Sequence, residues 1–179
     1  MNGMKVRIRA LEPEDVETLY QWENDQQIWH LSNTITPMSR FTLEQYVLNA
    51  GQDLYATRQM RLMIDLVKPE NGRTTIGSID LFEFEPAHRR AGVGILIHED
   101  FRGKGYASEA LSLLINYAFE TLHMHQLFCN ISTDNPESIR LFESKGFSLV
   151  GTKKEWNLIR NRWFDESMFQ LIYRPSNQV

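Results

Sequence analysis

The stretch Arg102-Gly103-Lys104-Gly105-Tyr106-Ala107 sets two cations and two glycines directly ahead of a helical pattern. The chemistry that combination serves is anion binding. Free N–H groups at a helix start point outward, and the helix dipole favours negative charge there. Glycine lets the backbone approach an oxyanion closely and adopt conformations closed to other residues. Alone, the stretch reads first as a surface turn leading into a helix. It is not a P-loop, because GxxxxGK[ST] is missing, and Ser108 three residues after Gly105 breaks the dinucleotide pattern GxGxxG.

The elements that must position this loop follow from periodicity. Val6, Ile8 and Ala10 alternate with cations and predict a first strand. Pro13 suits a helix start, with Val16, Leu19 and Tyr20 at helical spacing. Thr42 with Gln45 outlines a capping box for a second helix. Leu62 to Leu66 and Thr74 to Phe84 read as a strand pair turning at Asn71-Gly72, with Pro86 as its stop. Gly92 to Ile97 is a further strand. Ala107, Ala110, Leu111, Leu114, Ala118 and Leu122 mark a helix after Gly105. Gln126 to Ser132 is a strand, Asn135-Pro136 opens a helix, and Gly146 closes it. Two last strands, 147–158 and 163–173, join near Asn161. The alternation predicts one mixed α/β or α+β domain over residues 1–179.

Composition narrows the class. The 179 residues are 42% hydrophobic and 23% charged, which suits one globular domain. The apolar runs are too short to span a bilayer, and the start MNGMKVRIRA lacks a signal-peptide core, so a cytoplasmic protein away from membranes is expected. The lone cysteine, Cys129, reads as a small core residue. A net charge of −4 argues against a nucleic-acid partner. His123 and His125 lack a carboxylate or cysteine neighbour, so no metal is expected.

Beyond the next strand lies Asn135-Pro136-Glu137-Ser138-Ile139-Arg140-Leu141-Phe142-Glu143-Ser144-Lys145-Gly146-Phe147. Together with Arg102, Gly105 and Ala107 it resembles the GNAT superfamily of N-acetyltransferases, and weaker likeness runs from Arg7-Ile8-Arg9-Ala10 to Trp163-Phe164-Asp165. The resemblance implies a GNAT-like fold, a central mixed sheet of about seven strands flanked by about four helices. It implies acetyl-CoA as co-substrate, its pyrophosphate held by Arg102, Gly103, Lys104, Gly105, Tyr106 and Ala107. Leu96 and Ile97 would pair with the pantetheine arm, and Asn130, Asn135, Ser138 and Phe142 would complete the contacts. The acceptor implied is a small-molecule or peptide amine. The branches most like this chain are the spermidine and the ribosomal-protein alanine N-acetyltransferases. A homodimer or higher homo-oligomer is compatible with either.

Two positions depart from the family pattern. Phe142 stands where many relatives carry a tyrosine that protonates the leaving thiolate. Ser138, one helical turn earlier, is the candidate replacement; the alternative is that it only caps the helix or holds the arm. Gly92 stands where relatives often place a basic glutamate. Glu83 and Glu85, sharing a side by period two, are the remaining candidates, with Asp80 a weaker third and a solvated strand end as the plain alternative. Trp22, Trp29 and Phe41, with Glu23, Asp25 and Glu44, suggest an aromatic and acidic wall for a cationic amine, or simply core. The Trp156 to Trp163 hairpin is a second candidate border. The missing tyrosine and glutamate also keep open a non-catalytic acyl-CoA-binding sensor.

Overall fold

The computed structural model describes residues 4–26, 29, 36–51, 53–67 and 72–174. Strand β1 (Val6–Ala10) leads through a 3₁₀ turn (Pro13–Asp15) into α1 (Val16–Glu23). Helices α2 (Arg40–Asn49) and α3 (Leu54–Thr57) precede β2 (Met60–Leu66), β3 (Thr75–Glu85) and β4 (Arg90–Ile97). Then come α4 (Tyr106–Asn116), β5 (Gln126–Ser132), α5 (Pro136–Glu143), β6 (Ser148–Ile159) and β7 (Arg162–Ile172). The seven strands form one sheet in the order β1-β2-β3-β4-β5-β7-β6. Every pairing is antiparallel except β4 with β5. Arg160 and Asn161 turn the β6–β7 hairpin with φ of 48° and 62°, the left-handed pair that matches strand twist.

Period two sorts the strand side chains between two cores. In β2, Ile64 enters the larger cluster, where Leu111 and Leu114 of α4 cover one sheet face. Its neighbour Met63 faces the other way, into the cluster made by Leu19 of α1 and Leu43 and Val47 of α2. The loop of residues 102–107 therefore ends in a helix seated on one face, and the aromatic helix α1 sits on the other. No helix among the described residues is long and apolar enough to cross a membrane.

Two local expectations change. The cap of α2 is Ser39, not Thr42: the Ser39 backbone is extended and its Oγ accepts the Thr42 N–H at 3.1 Å. Ser39 stands three residues before Thr42, so the helix begins one turn earlier than the Thr42–Gln45 pair suggests. The single-turn helix α3, with Asp53 accepting the Tyr55 N–H, has too few residues for a periodic signal. It makes five α-helices among the described residues. The expected Asn71 turn lies outside them.

A buried ionic cluster locks the β1–β2 edge to the start of α1. Arg9 donates to Asp15 at 2.7 and 2.9 Å and to Asp65 at 2.7 and 3.2 Å. Thr75 donates to Asp65, and Arg73 and the Glu12 N–H donate to Asp15. Burial alone pushes both carboxyls up, but the hydrogen bonds and the Arg9 and Arg73 charges outweigh it and hold both below their ordinary value near 3.8.

Candidate active site

The site begins where two strands part. β4 and β5 pair only at Arg90–Gly92 with Gln126–Phe128, and no backbone pairing joins them beyond. The β4 edge past Gly92 thus presents backbone N–H and C=O groups that a strand-like, amide-bearing ligand can satisfy. The opening is a cleft of about 840 Å³ that runs from Leu96 and Ile97 down to Arg102, Gly103, Gly105, Tyr106 and Ala107. Asn135 and Ser138 of the α5 start face them across it.

The loop is built as an anion cradle. Gly103 and Gly105 have φ of 72° and 82°, a region that other residues enter only with strain. A Cβ at Gly105 meets nothing within 4 Å, so conformation, not space, requires glycine there. α4 has no side-chain cap, which leaves its first N–H groups directed at the cleft. Arg102 is partly spent, since its Nε donates to the Ile97 carbonyl at 2.9 Å and so fixes the loop against β4.

Three residues expected on the cofactor do not line this cleft. Lys104 turns its ammonium to the Asp100 carbonyl at 2.8 Å. Asn130 faces the second cavity from β5. Phe142 is 2% exposed, packs edge-on to Phe147, and walls the same second cavity.

That cavity, of about 790 Å³, shares Trp22, Leu96, Asn135 and Ser138 with the cleft, so the two spaces meet at the strand parting. Ser138 is half-buried at the junction. Its N–H is capped by Asn135 Oδ1 at 3.1 Å, and its hydroxyl makes no hydrogen bond to the described residues. Ser132, which the sequence reading missed, also lines the second cavity, and its buried Oγ has no partner among the described residues.

Five carboxylates (Glu23, Asp80, Glu83, Asp134, Glu166) line the second cavity against two cations, Arg61 and Lys153. Arg61 lies between Asp80 at 2.7 Å and Glu23, bridging β2, β3 and α1. Burial disfavours its charge, but Asp80 and Glu23 outweigh that and keep the guanidinium firmly protonated. Lys153 pairs with Glu166. Glu83 and Asp134 are the cavity carboxylates left to solvent, Glu83 at a β3 bulge where its φ is 47°.

The same bulge corrects the expectation that Glu83 and Glu85 share a side. Pairing with β4 slips between Phe82 and Glu85, so Phe82 and Glu83 both line the cavity while Glu85 pairs with Arg58 at 2.8 Å outside it. Asp80 is committed to Arg61. Gly92 is explained by Phe82: a Cβ at position 92 would lie 2.3 Å from its ring. Of the aromatic residues in the N-terminal region, Trp22 lines both spaces, Trp29 donates its indole N–H to the Glu23 carbonyl, and Phe41 is exposed away from them. In the last hairpin Trp156 lines the cavity, whereas Trp163 does not. Cys129 is buried, and burial pushes its thiol up to about 12, so it carries no thiolate at neutral pH. Among the described residues no three His, Cys, Asp or Glu stand together as a metal group.

The acetyltransferase (GNAT) domain family matches residues 5–148. The chain belongs to the GNAT acetyltransferases, and the class of enzyme this defines is N-acetyltransferase. It is 27% identical over 170 residues to the uncharacterized N-acetyltransferase p20 of Bacillus licheniformis, across 95% of this chain and 94% of that protein. It is 24% identical over 171 residues to the spermidine N(1)-acetyltransferase of Vibrio cholerae, across 94% and 93%. The crystal structure of spermidine N-acetyltransferase from Vibrio cholerae with CoA and spermine has the same fold, with a TM-score of 0.84 at 23% identity over 94% of this chain and 95% of that one.

Proposed function

We propose that this enzyme transfers an acetyl group from acetyl-CoA directly to a primary amine, and that the amine belongs to a small polycation of the spermidine class. The observation that carries this is the meeting of two cavities at the β4–β5 parting: an amide-edged cleft ending in a helix N-terminus, and an acid-rich space bounded by Trp22 and Trp156. The first suits a long polyanion bearing amides. The second suits a cationic amine. A relative named spermidine N(1)-acetyltransferase supports this choice.

Acetyl-CoA supplies an activated acyl group as a thioester. The chain supplies position and proton paths. The β4 edge and Asn135 hold the arm so that its reactive end lies at the junction. Glu83 accepts the proton that the amine must lose, through water, since its carboxylate faces the cavity unpaired. Ser138 gives a proton to the departing sulfur, its hydroxyl free and its helix start fixed by Asn135. Holding both reactants together supplies much of the rate.

A protein N-terminus is the second reading, favoured by Ser138 paired with Phe142. Under either, Ser138→Ala lowers kcat by about a hundredfold or more, the scale of one proton-transfer group, with acetyl-CoA affinity unchanged. An unchanged kcat returns Ser138 to a capping role. A wild-type protein that binds acetyl-CoA but releases no thiol with any amine is a sensor, not an enzyme.

A further inference from the structure

The strand β6 is broken where it borders the second cavity. Lys153 pairs with Glu166, yet Asn157 pairs with Phe164, so Lys154, Glu155 and Trp156 stand opposite Asp165 alone. Glu155 takes φ of 47° there, a left-handed conformation unfavourable to a side-chain-bearing residue. The break undoes the ordinary alternation, and Lys153, Trp156 and Asn157 all line the cavity. Lys153 Nζ lies 4.5 Å from the Trp156 ring centroid, and Glu166 takes both Lys153 and Asn157 Nδ2.

Glu166 holds the two ends of the break, and Asp165 holds its middle. Asp165 Oδ1 accepts the Glu155 N–H at 2.9 Å, and Oδ2 accepts the Lys154 ammonium at 2.8 Å. Its main-chain carbonyl accepts the Thr133 N–H at 2.9 Å, at the turn that leads to Asn135 and Ser138. Asp165 itself lines neither space. From this geometry we infer that Asp165 is a positioning residue for the acceptor: its carboxylate fixes the β6 bulge that turns Trp156 over the acceptor cavity, and so sets affinity for a cationic amine. The inference rests on the reading of the second cavity as the acceptor site. The Lys154 and Glu155 hydrogen bonds also hold the Asp165 carboxyl below its ordinary range, so both oxygens stay acceptors at neutral pH.

The test compares Asp165→Ala, Asp165→Asn and Trp156→Ala with the wild type, with spermidine as the amine and thiol release as the rate. Asparagine keeps an oxygen for the Glu155 N–H, whereas alanine keeps none. Asp165→Ala and Trp156→Ala should each raise the spermidine KM about tenfold, the scale of one lost aromatic–cation contact, with kcat and acetyl-CoA KM within about twofold. Asp165→Asn should stay within about threefold of wild type, because the N–H acceptor survives. Amide exchange at Glu155, which needs no turnover, should lose protection in Asp165→Ala and keep it in Asp165→Asn. An unchanged spermidine KM in Asp165→Ala overturns the inference. So does an Asp165→Asn enzyme as defective as Asp165→Ala while its Glu155 amide stays protected, since charge and not the bulge would then matter. A wild type that turns over neither spermidine nor a peptide amine instead removes the acceptor reading, and this inference with it.

Discussion

Asp65→Ala should destabilise the protein by about 3 kcal/mol, because it leaves the largely buried Arg9 guanidinium with half its carboxylate hydrogen bonds. For a chain of this size that is a fall in Tm of about 10 °C. The Asp65 side chain is fully buried and takes hydrogen bonds from Arg9 and Thr75, so no water replaces the lost carboxylate. The Glu17–Arg40 pair is the internal control. Both of its side chains are more than half exposed, and Glu17→Ala should cost under about 0.5 kcal/mol. The pH dependence follows from the direction of the shift. The folded pKa of Asp65 lies below the ordinary value near 3.8, so its contribution is complete above that value and is lost as pH falls through the folded pKa. The gap between wild type and Asp65→Ala should therefore be constant from about pH 7 to 5 and shrink below about pH 4. Urea titrations across that range check both statements. A gap under about 1 kcal/mol at neutral pH would mean that the cluster is incidental.

Gly105→Val should weaken acetyl-CoA binding about a hundredfold, the loss of roughly two charge-assisted backbone hydrogen bonds. The reason is conformational. With φ at 82°, a β-branched residue must leave the left-handed region, and the first N–H groups of α4 then no longer converge on one point. Gly105→Ala should show a smaller effect in the same direction. Gly51, where φ is not left-handed and a Cβ also meets nothing, provides the control: Gly51→Ala should bind normally. Calorimetric titration separates these variants. Binding by Gly105→Val within about threefold of wild type would dismiss the cradle.

Much of the first cleft's lining was legible because its signals are local. Gly105, the Asn135-Pro136 helix start and Ser138 lie within two short segments, and glycine or capping chemistry leaves few alternatives for them. The second cavity was less so. Arg61 meets Asp80 and Glu23 across 19 and 38 residues, pairings that no periodicity encodes. The bulges at Glu83 and Glu155 are register slips between strands, visible only once the partner strand is known. For that reason alternation put Glu85 beside Glu83, and Asp165 entered only as the end of the weaker family likeness, with no role attached. Ser39 was missed for a smaller reason: Thr42 with Gln45 matched the fuller pattern, but the chain is already helical there.

The central claim is that donor and acceptor occupy two joined spaces at once. Initial rates of thiol release, with acetyl-CoA and spermidine varied together, test it most directly. Direct transfer within a ternary complex predicts saturation in both and double-reciprocal lines that intersect. Parallel lines would require an acylated enzyme and contradict the account, as would the absence of any spermidine-dependent release.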